Sequence, residues 1–419
     1  MRIIYCFTSM LLALPLMVMA ADSGFSVSKA TNNTLNLHDA LMMALAANPA
    51  ISIAEREREA NEGMQMQAAT RRNPLISSSI EDTRNANRLT TIQIDQPLEL
   101  GGKRQARMEA ASAGLSAAES DIVTRKAEIA AAVTMAFYEV LAAQERMQLA
   151  ASFVSLAEGA TRIAVRRVEA GKVSPVEETK SRVAESSVRI EQNQAGRALN
   201  MARQRLAALW GGSAMDIGEA EGNLESLPLL PENTSLQDDL LQSPMMKRAR
   251  LEIERREAIT RLETSKRVPD LTVSLGAQRN QELGINQAVL GLSIPIPVFD
   301  RNQGNIHEAI SRADKARDEL LALQLNIRTN LSTAYEQWLA SSQEAEALKQ
   351  DILPGARSAF NAASKGFEMG KFNFLEVLDA QRTLFQAQSQ YLNALLGVHR
   401  AHAEIGRLLG HFLPAAEPN

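Results

Sequence analysis

One cysteine in 419 residues leaves no material for a disulfide framework. Aromatic residues are only 4% of the chain, too few for the thick cores that two or three compact domains of this length need. Net charge is nearly absent: 45 Lys and Arg against 49 Asp and Glu give −4, which provides no overall pull toward nucleic acid or anionic lipid. Beyond the first twenty residues no run of eighteen apolar residues occurs, so no transmembrane helix is available and any span has to be built from strands. No Ser-His-Asp or Cys-His order suggests a nucleophile, and Gly101-Gly102-Lys103 lacks the upstream glycine of a phosphate loop. Neither an enzyme nor a cofactor is expected. What is abundant is Ala, Gln, Glu, Leu and Arg, the composition of long helices with narrow seams.

The N-terminus has a character of its own. Arg2 precedes an apolar run that ends at Val18-Met19-Ala20, ahead of Ala21-Asp22. Residues 1–20 read as a secretory signal peptide cleaved near Ala20. Cys6 leaves with it, and sits too early in the apolar stretch to become the lipid-bearing first residue of a mature lipoprotein.

Self-comparison reveals a duplication. Asn48-Pro49 is followed at twenty-five residues by Asn73-Pro74, and Ser243-Pro244 at the same interval by Val268-Pro269. Gln96-Pro97-Leu98 aligns with Ile294-Pro295-Ile296, and Ala170-Gly171-Lys172 with Met369-Gly370-Lys371, at offsets of 195, 198 and 199. Four ordered matches with so little drift imply two copies of one unit. The first covers residues 21–211 and the second 235–411; residues 212–234, rich in Gly, Pro and Glu, read as a surface linker, and 412–419 as a tail.

Each copy predicts a helix, a β-hairpin, a very long helix and a return helix. In the first copy a helix over 37–72 is interrupted at Pro49, strands follow at about 74–82 and 90–100, and a long helix spans 103–169. The second copy places strands at about 269–279 and 288–298, where Leu271, Val273 and Leu275, then Leu290, Leu292, Ile294 and Ile296, alternate with small or polar residues. Its long helix, 303–368, carries Ile306, Ile310, Ala313, Leu320, Ile327, Leu331, Ala334, Trp338, Ala345, Leu348 and Ile352 at coiled-coil intervals, with a bend expected at Pro354-Gly355. About 65 helical residues extend roughly 100 Å. Short glycine turns at 170–175 and 369–373 reverse each long helix.

Four amphipathic strands are too few to close a barrel, and exposed sheet edges are forbidden in hydrocarbon, so closure in a membrane calls for oligomerisation. Three chains supply twelve strands. The fold class expected is therefore mainly α with β: a duplicated helix, hairpin and long-helix unit, assembled as a trimeric twelve-stranded outer-membrane barrel continued by a coiled-coil tunnel. A soluble, non-conducting coiled-coil protein is the competing architecture, disfavoured by the apolar residues between Ile294 and Phe299.

The segment Gly366-Phe-Glu-Met-Gly-Lys-Phe-Asn-Phe-Leu-Glu-Val-Leu-Asp-Ala-Gln-Arg382, with the leader and the duplicated layout, resembles the TolC family of outer-membrane efflux channels. Gln96-Pro-Leu-Glu-Leu-Gly-Gly-Lys-Arg104 is similar to the heavy-metal, CzcC-like branch. The resemblance implies a homotrimer in the outer membrane of a Gram-negative bacterium, extending into the periplasm, coupled to a periplasmic adaptor protein and an inner-membrane RND pump. Divalent metal is the expected cargo; drug efflux and type I secretion share the same channel physics. The resemblance also implies roles at the two turns. Leu375-Glu376-Val377-Leu378-Asp379-Ala380 matches the family's constriction pattern, and Glu376 and Asp379, three apart on a helix, would make a ring of six carboxylates in a trimer. A solvated helix face is the alternative reading of those two acids. Glu177 follows Gly171 as Glu376 follows Gly370, at a position where the family ties an acid to basic or hydroxyl groups near the second turn. Here the matching residues are Phe367 and Phe372 with Lys371 nearby, so a hydrophobic gate or a Lys371 contact is expected. Gly171, Lys172, Val173, Ser174, Gly370 and Asn373 are the expected adaptor-contact residues. His399 and His402 lie three apart on one helix and could bind a metal, but two ligands make a weak metal site and a helix-face role is expected.

Overall fold

The computed structural model describes residues 34–82, 84, 86–231 and 233–410. The expected signal peptide, Cys6 and the tail 412–419 lie outside them. A short strand β1 (Thr34–Leu35) leads into α1 (Leu37–Ala47) and α2 (Pro49–Ala69), then β2 (Leu75–Glu81), β3 (Leu89–Leu98), the 67-residue α3 (Lys103–Glu169) and its return helix α4 (Pro175–Ala208). The second half runs through β4 (Glu219–Ala220), α5 (Asn233–Leu240), α6 (Pro244–Ser265), β5 (Leu271–Asn280), β6 (Ile285–Ser293), α7 (Gln303–Ala347), α8 (Leu353–Glu368) and α9 (Phe374–Leu409). Among the described residues no single helix is long and apolar enough to cross a membrane.

The hairpins of the two halves join edge to edge in one antiparallel sheet of order β2-β3-β5-β6, leaving β2 and β6 as its outer strands. Registry places Ile76, Ile94, Leu275 and Leu290 in one cross-strand row, and all four are exposed. Val273 beside Leu292 and Ile92 beside Ala277 continue the same apolar face. The other face is polar and internally bonded. Asp95 accepts from the hydroxyls of Ser77 at 2.9 Å and Ser274 at 2.5 Å and from Gln93 Nε2 at 3.0 Å, while Gln278 Nε2 donates to Thr91 Oγ1 at 3.0 Å. The period-two pattern thus separates an apolar surface from a polar one.

The last strand ends earlier than its apolar alternation predicts. β6 stops at Ser293 because Pro295 and Pro297 have no N–H to donate to a ladder, so Ile294, Ile296 and Val298 lie beyond the sheet. The predicted helical break is also displaced. A π-helical turn at Leu348–Ile352, in which the Leu353 N–H bonds the Leu348 carbonyl, absorbs the donor missing at Pro354 before α8 resumes. Along α7, Ala313, Ile327, Leu331, Ala334 and Ala345 are buried as the seam requires, but Ile310, and Ile352 in the π-helical turn, remain exposed on the single chain.

The helices pack in long antiparallel pairs, α3 against α2, α4, α6 and α9, and α7 against α6 and α9. Their thickest core lies midway along α3, where Val133, Phe137, Val140 and Leu141 meet Ala40, Leu206, Leu395 and Leu396. The segment expected to be a surface linker is part of this core. Ile217, Ala220 and Leu224 are buried, β4 pairs in parallel with β1, and Gln144 exchanges two hydrogen bonds with the Ala220 backbone, at 3.0 and 2.8 Å. Its turn-rich composition belongs to an irregular belt strapped across the helices.

A junction that ties the halves together explains the 96–104 motif. Gly101 and Gly102 both take left-handed φ, +70° and +72°, turning β3 directly into α3. A Cβ on Gly101 would lie 2.7 Å from Val268 of the other half. Lys103 Nζ then reaches Asp270 at 2.5 Å, and Arg107 clasps Glu99 with two bonds of 2.7 and 3.1 Å.

Candidate functional site

At the end of the helices remote from the sheet, two turns face each other as structural copies. In the first, the Gly171 N–H bonds the Val168 carbonyl and the Lys172 N–H the Arg167 carbonyl, both at 2.9 Å. In the second, Gly370 bonds Phe367 at 2.9 Å and Lys371 bonds Gly366 at 2.8 Å. This is a Schellman closure with glycine in the left-handed position, φ +68° and +75°. Ser174 and Asn373 then cap α4 and α9, their side-chain oxygens accepting from Val176 at 3.3 Å and Glu376 at 3.1 Å. Gly171, Lys172, Ser174, Gly370 and Asn373 are exposed at this tip, with Val173 half-buried.

Glu376 and Asp379 are exposed on the first turns of α9, and neither carboxylate has an ion-pair partner among the described residues. Asp379 borders an open groove of about 790 Å³ between α4 and α9, shared with Lys180, Val183, Leu375 and Arg382. Glu177 is half-buried one helix away, and its Oε2 is shut from solvent without a hydrogen-bond partner.

Across the tip the two turns are connected by a residue that sequence reasoning missed. The Arg167 guanidinium lies 5.0 Å from the centroid of the Phe367 ring and donates to the Phe367 carbonyl at 3.4 Å. Phe367 is 2% exposed, packed with Ala363, Phe374 and Val377. Phe372 lies over Gly366, where an added Cβ would come within 2.2 Å of its ring. Lys371 stays exposed and has no ion-pair partner among the described residues. The sequence did carry a faint signal: the 199-residue offset aligns Arg167 with Gly366, a large cation in one copy against the smallest residue in the other.

The two histidines belong to the belt, far from the turns in sequence. His399 is buried, stacks on Tyr138 with centroids 3.7 Å apart, and points Nε2 at the Leu224 carbonyl at 2.9 Å. That bond requires the proton on Nε2 and commits this nitrogen to holding the strap. Burial lowers the His399 pKa. Burial and the neighbouring His399 push His402 down to about 4. Among the described residues no cluster of three or more His, Cys, Asp or Glu could hold a metal ion.

Comparison with known proteins agrees with this architecture. The family profile described as "Outer membrane efflux protein" matches residues 40–212 and 235–411, one segment per structural repeat. The cobalt-zinc-cadmium resistance protein CzcC of Cupriavidus metallidurans is 46% identical over 376 residues, 90% of either chain. Among solved structures, the outer membrane protein VceC of Vibrio cholerae superposes with a TM-score of 0.76 at 18% identity, covering 90% of this chain and 96% of that one. CusC, whose crystal structures concern folding and transmembrane channel formation, does so at 0.77 and 18%, covering 90% and 92%. With the repeat, the shared sheet and the twin turns already in place, these matches establish that the chain belongs to the outer membrane efflux protein family, the TolC-type channels, and is a non-enzymatic efflux channel of the Gram-negative outer membrane.

Proposed function

We propose that three copies of this chain close their sheets into a twelve-stranded barrel, continued by a helical tunnel, that serves as the passive exit duct of a tripartite system exporting divalent heavy-metal cations. The observation that carries this reading is the sheet itself: four strands with two unpaired outer edges, one face bare and apolar, the other lined by Asp95, Gln93, Thr91 and Gln278. In hydrocarbon those edges are tolerated only when neighbouring copies pair with them. Twelve strands then enclose a polar lumen. The metal cargo is supported by the 46% identity to a cobalt-zinc-cadmium resistance protein. A periplasmic adaptor and an inner-membrane RND pump are the partners that supply cargo and energy, and the turn residues Gly171, Lys172, Val173, Ser174, Gly370 and Asn373 are where the adaptor docks. Residues 21–211 and 235–411 are the repeating units.

In the trimer, Glu376 and Asp379 contribute six carboxylates near the axis, a ring that concentrates cations and is blocked by multivalent ones that bind too well. Glu177, Phe367, Lys371 and Phe372 belong to the gate. Reconstitution in planar bilayers tests the duct: cation-selective currents are expected, and Glu376→Gln with Asp379→Asn should reduce both selectivity and block by trivalent cations. A chain that inserts no conductance refutes the reading. A deletion strain challenged with zinc, cobalt, cadmium and nickel, beside dyes and detergents, tests the cargo, and sensitivity confined to dyes refutes the metal assignment.

A further inference from the structure

We propose that residues 294–301, together with the basic end of α6, form an interfacial belt that seats the channel in the anionic phospholipid headgroups of the periplasmic leaflet. This rests on the barrel reading above. Beyond β6 the chain carries Ile294, Ile296, Val298 and Phe299 on its surface, and Ile296 and Phe299 are 82% and 91% exposed. Six consecutive exposed residues with four large apolar side chains are costly in water. A neighbouring copy pairing with the edge of β6 does not cover them by strand addition, since Pro295 and Pro297 supply no N–H and the Val298 N–H is already turned back on the Ile296 carbonyl at 2.9 Å.

The position along the sheet names the occupant. The apolar face runs unbroken from the row of Ile94, Leu275 and Leu290 through Leu292 into this segment, and stops where α7 begins. That is the depth at which hydrocarbon gives way to headgroups on the side of the helices, the level occupied by aromatic girdles in outer-membrane barrels. Cations crowd the same level. Lys266 and Arg267 end α6 beside Pro295 and Phe299, and Arg301 opens the path to α7 with Nε donating to the Pro297 carbonyl at 3.3 Å. Lys266 is paired with Glu263 at 2.6 Å, whereas Arg267 and Arg301 have no carboxylate partner among the described residues. The acid within the belt, Asp300, already accepts from the Asn302 N–H at 2.9 Å. The first repeat adds exposed Arg71 and Arg104 at its own sheet-to-helix junction. An apolar wedge bounded by unpaired guanidinium groups matches acyl chain below a phosphate, and the near-zero net charge of the whole chain conceals this local excess.

The test uses the full-length channel in liposomes of phosphatidylethanolamine and phosphatidylglycerol, with Trp210→Phe and Trp338→Phe removing native indoles. Phe299→Trp and Leu290→Trp are each combined with lipids brominated near the headgroup or near the chain end. The expected result is that the indole at 299 is quenched most by shallow bromines and the indole at 290 most by deep ones. Quenching at 290 with none at 299 overturns the belt and leaves the barrel intact; quenching at neither overturns both. Brominated phosphatidylglycerol diluted in phosphatidylcholine, and the converse mixture, then measure headgroup preference at 299. A preference of about threefold or more for phosphatidylglycerol is expected, abolished by Arg267→Gln with Arg301→Gln. Equal quenching by both headgroups in the parent overturns the assignment of an anionic lipid.

Discussion

In the gate proposed above, the contact between the two turns belongs to the closed state, and removing Arg167 should loosen it. Its guanidinium stands 5.0 Å from the Phe367 ring and 3.4 Å from the Phe367 carbonyl, so it makes one cation–π contact and one long hydrogen bond between the repeats. For a half-buried group the first is about 1 kcal/mol, between the exposed and the desolvated limits. The second adds about 0.5 kcal/mol, at the low end for its length. Arg167→Ala therefore costs the closed state about 1.5 kcal/mol per chain, and about 4.5 kcal/mol if three copies open together, close to a thousandfold in the closed-to-open ratio at 1.4 kcal/mol per decade. Single-channel recording in planar bilayers reads this directly as a rise in open time. Arg167→Lys, which keeps charge but not the planar group, should fall between the two. Unchanged open time for Arg167→Ala, in a channel that Phe367→Ala does open, would refute the reasoning.

The sheet-to-helix junction offers two contrasts in thermal unfolding followed by circular dichroism. Lys103→Met leaves Asp270 with a 3.6 Å contact to Arg72 and a long 3.4 Å hydrogen bond from the Leu100 N–H, and should destabilise by about 3 kcal/mol, while the double variant with Asp270→Leu recovers most of the loss. Gly101→Ala and Gly102→Ala share a left-handed strain of about 1–2 kcal/mol, but only the former meets Val268 at 2.7 Å and should lose more. The belt should be sensitive to acid. A buried His402 titrating at about 4 against an ordinary 6.5 means the unfolded chain binds more protons between those values. Stability then falls as pH drops from 6.5 toward 4 and levels off below, and His402→Gln should flatten that slope in denaturant titrations at stepped pH.

The legible parts of this fold are those written in local pattern. Alternation marks the strands, because a sheet with one bare face demands period two, and Gly171 and Gly370 mark the turns, because the Schellman closure demands a left-handed residue. The illegible parts depend on partners distant in sequence. Nothing around Leu224 indicates that His399, 175 residues away, holds its carbonyl, so a turn-rich strap reads as a surface linker. Arg167 looks like any helical arginine until the opposite turn brings Phe367 beneath it. Lys103 and Asp270 make sense only once the second hairpin lies beside the first. Pro295 and Pro297 interrupt the ladder in a stretch whose apolar alternation by itself reads as continuous strand.

The pairing of β3 with β5 imposes an order on assembly. Leu98 sits opposite Leu271, so the central ladder of the sheet joins segments 173 residues apart, with the whole of α3 and α4 between them. Contacts of such separation form late, after local helices and hairpins have had time to appear. A chain emerging N-terminus first carries its β2-β3 hairpin for the whole synthesis of the helical pair with one apolar face and two bare edges, and cannot complete its own four-stranded sheet until the second repeat arrives. The duplicated gene product is thus the smallest piece that can present a finished four-stranded panel, and a truncated first repeat would offer its edges to whatever strand came next.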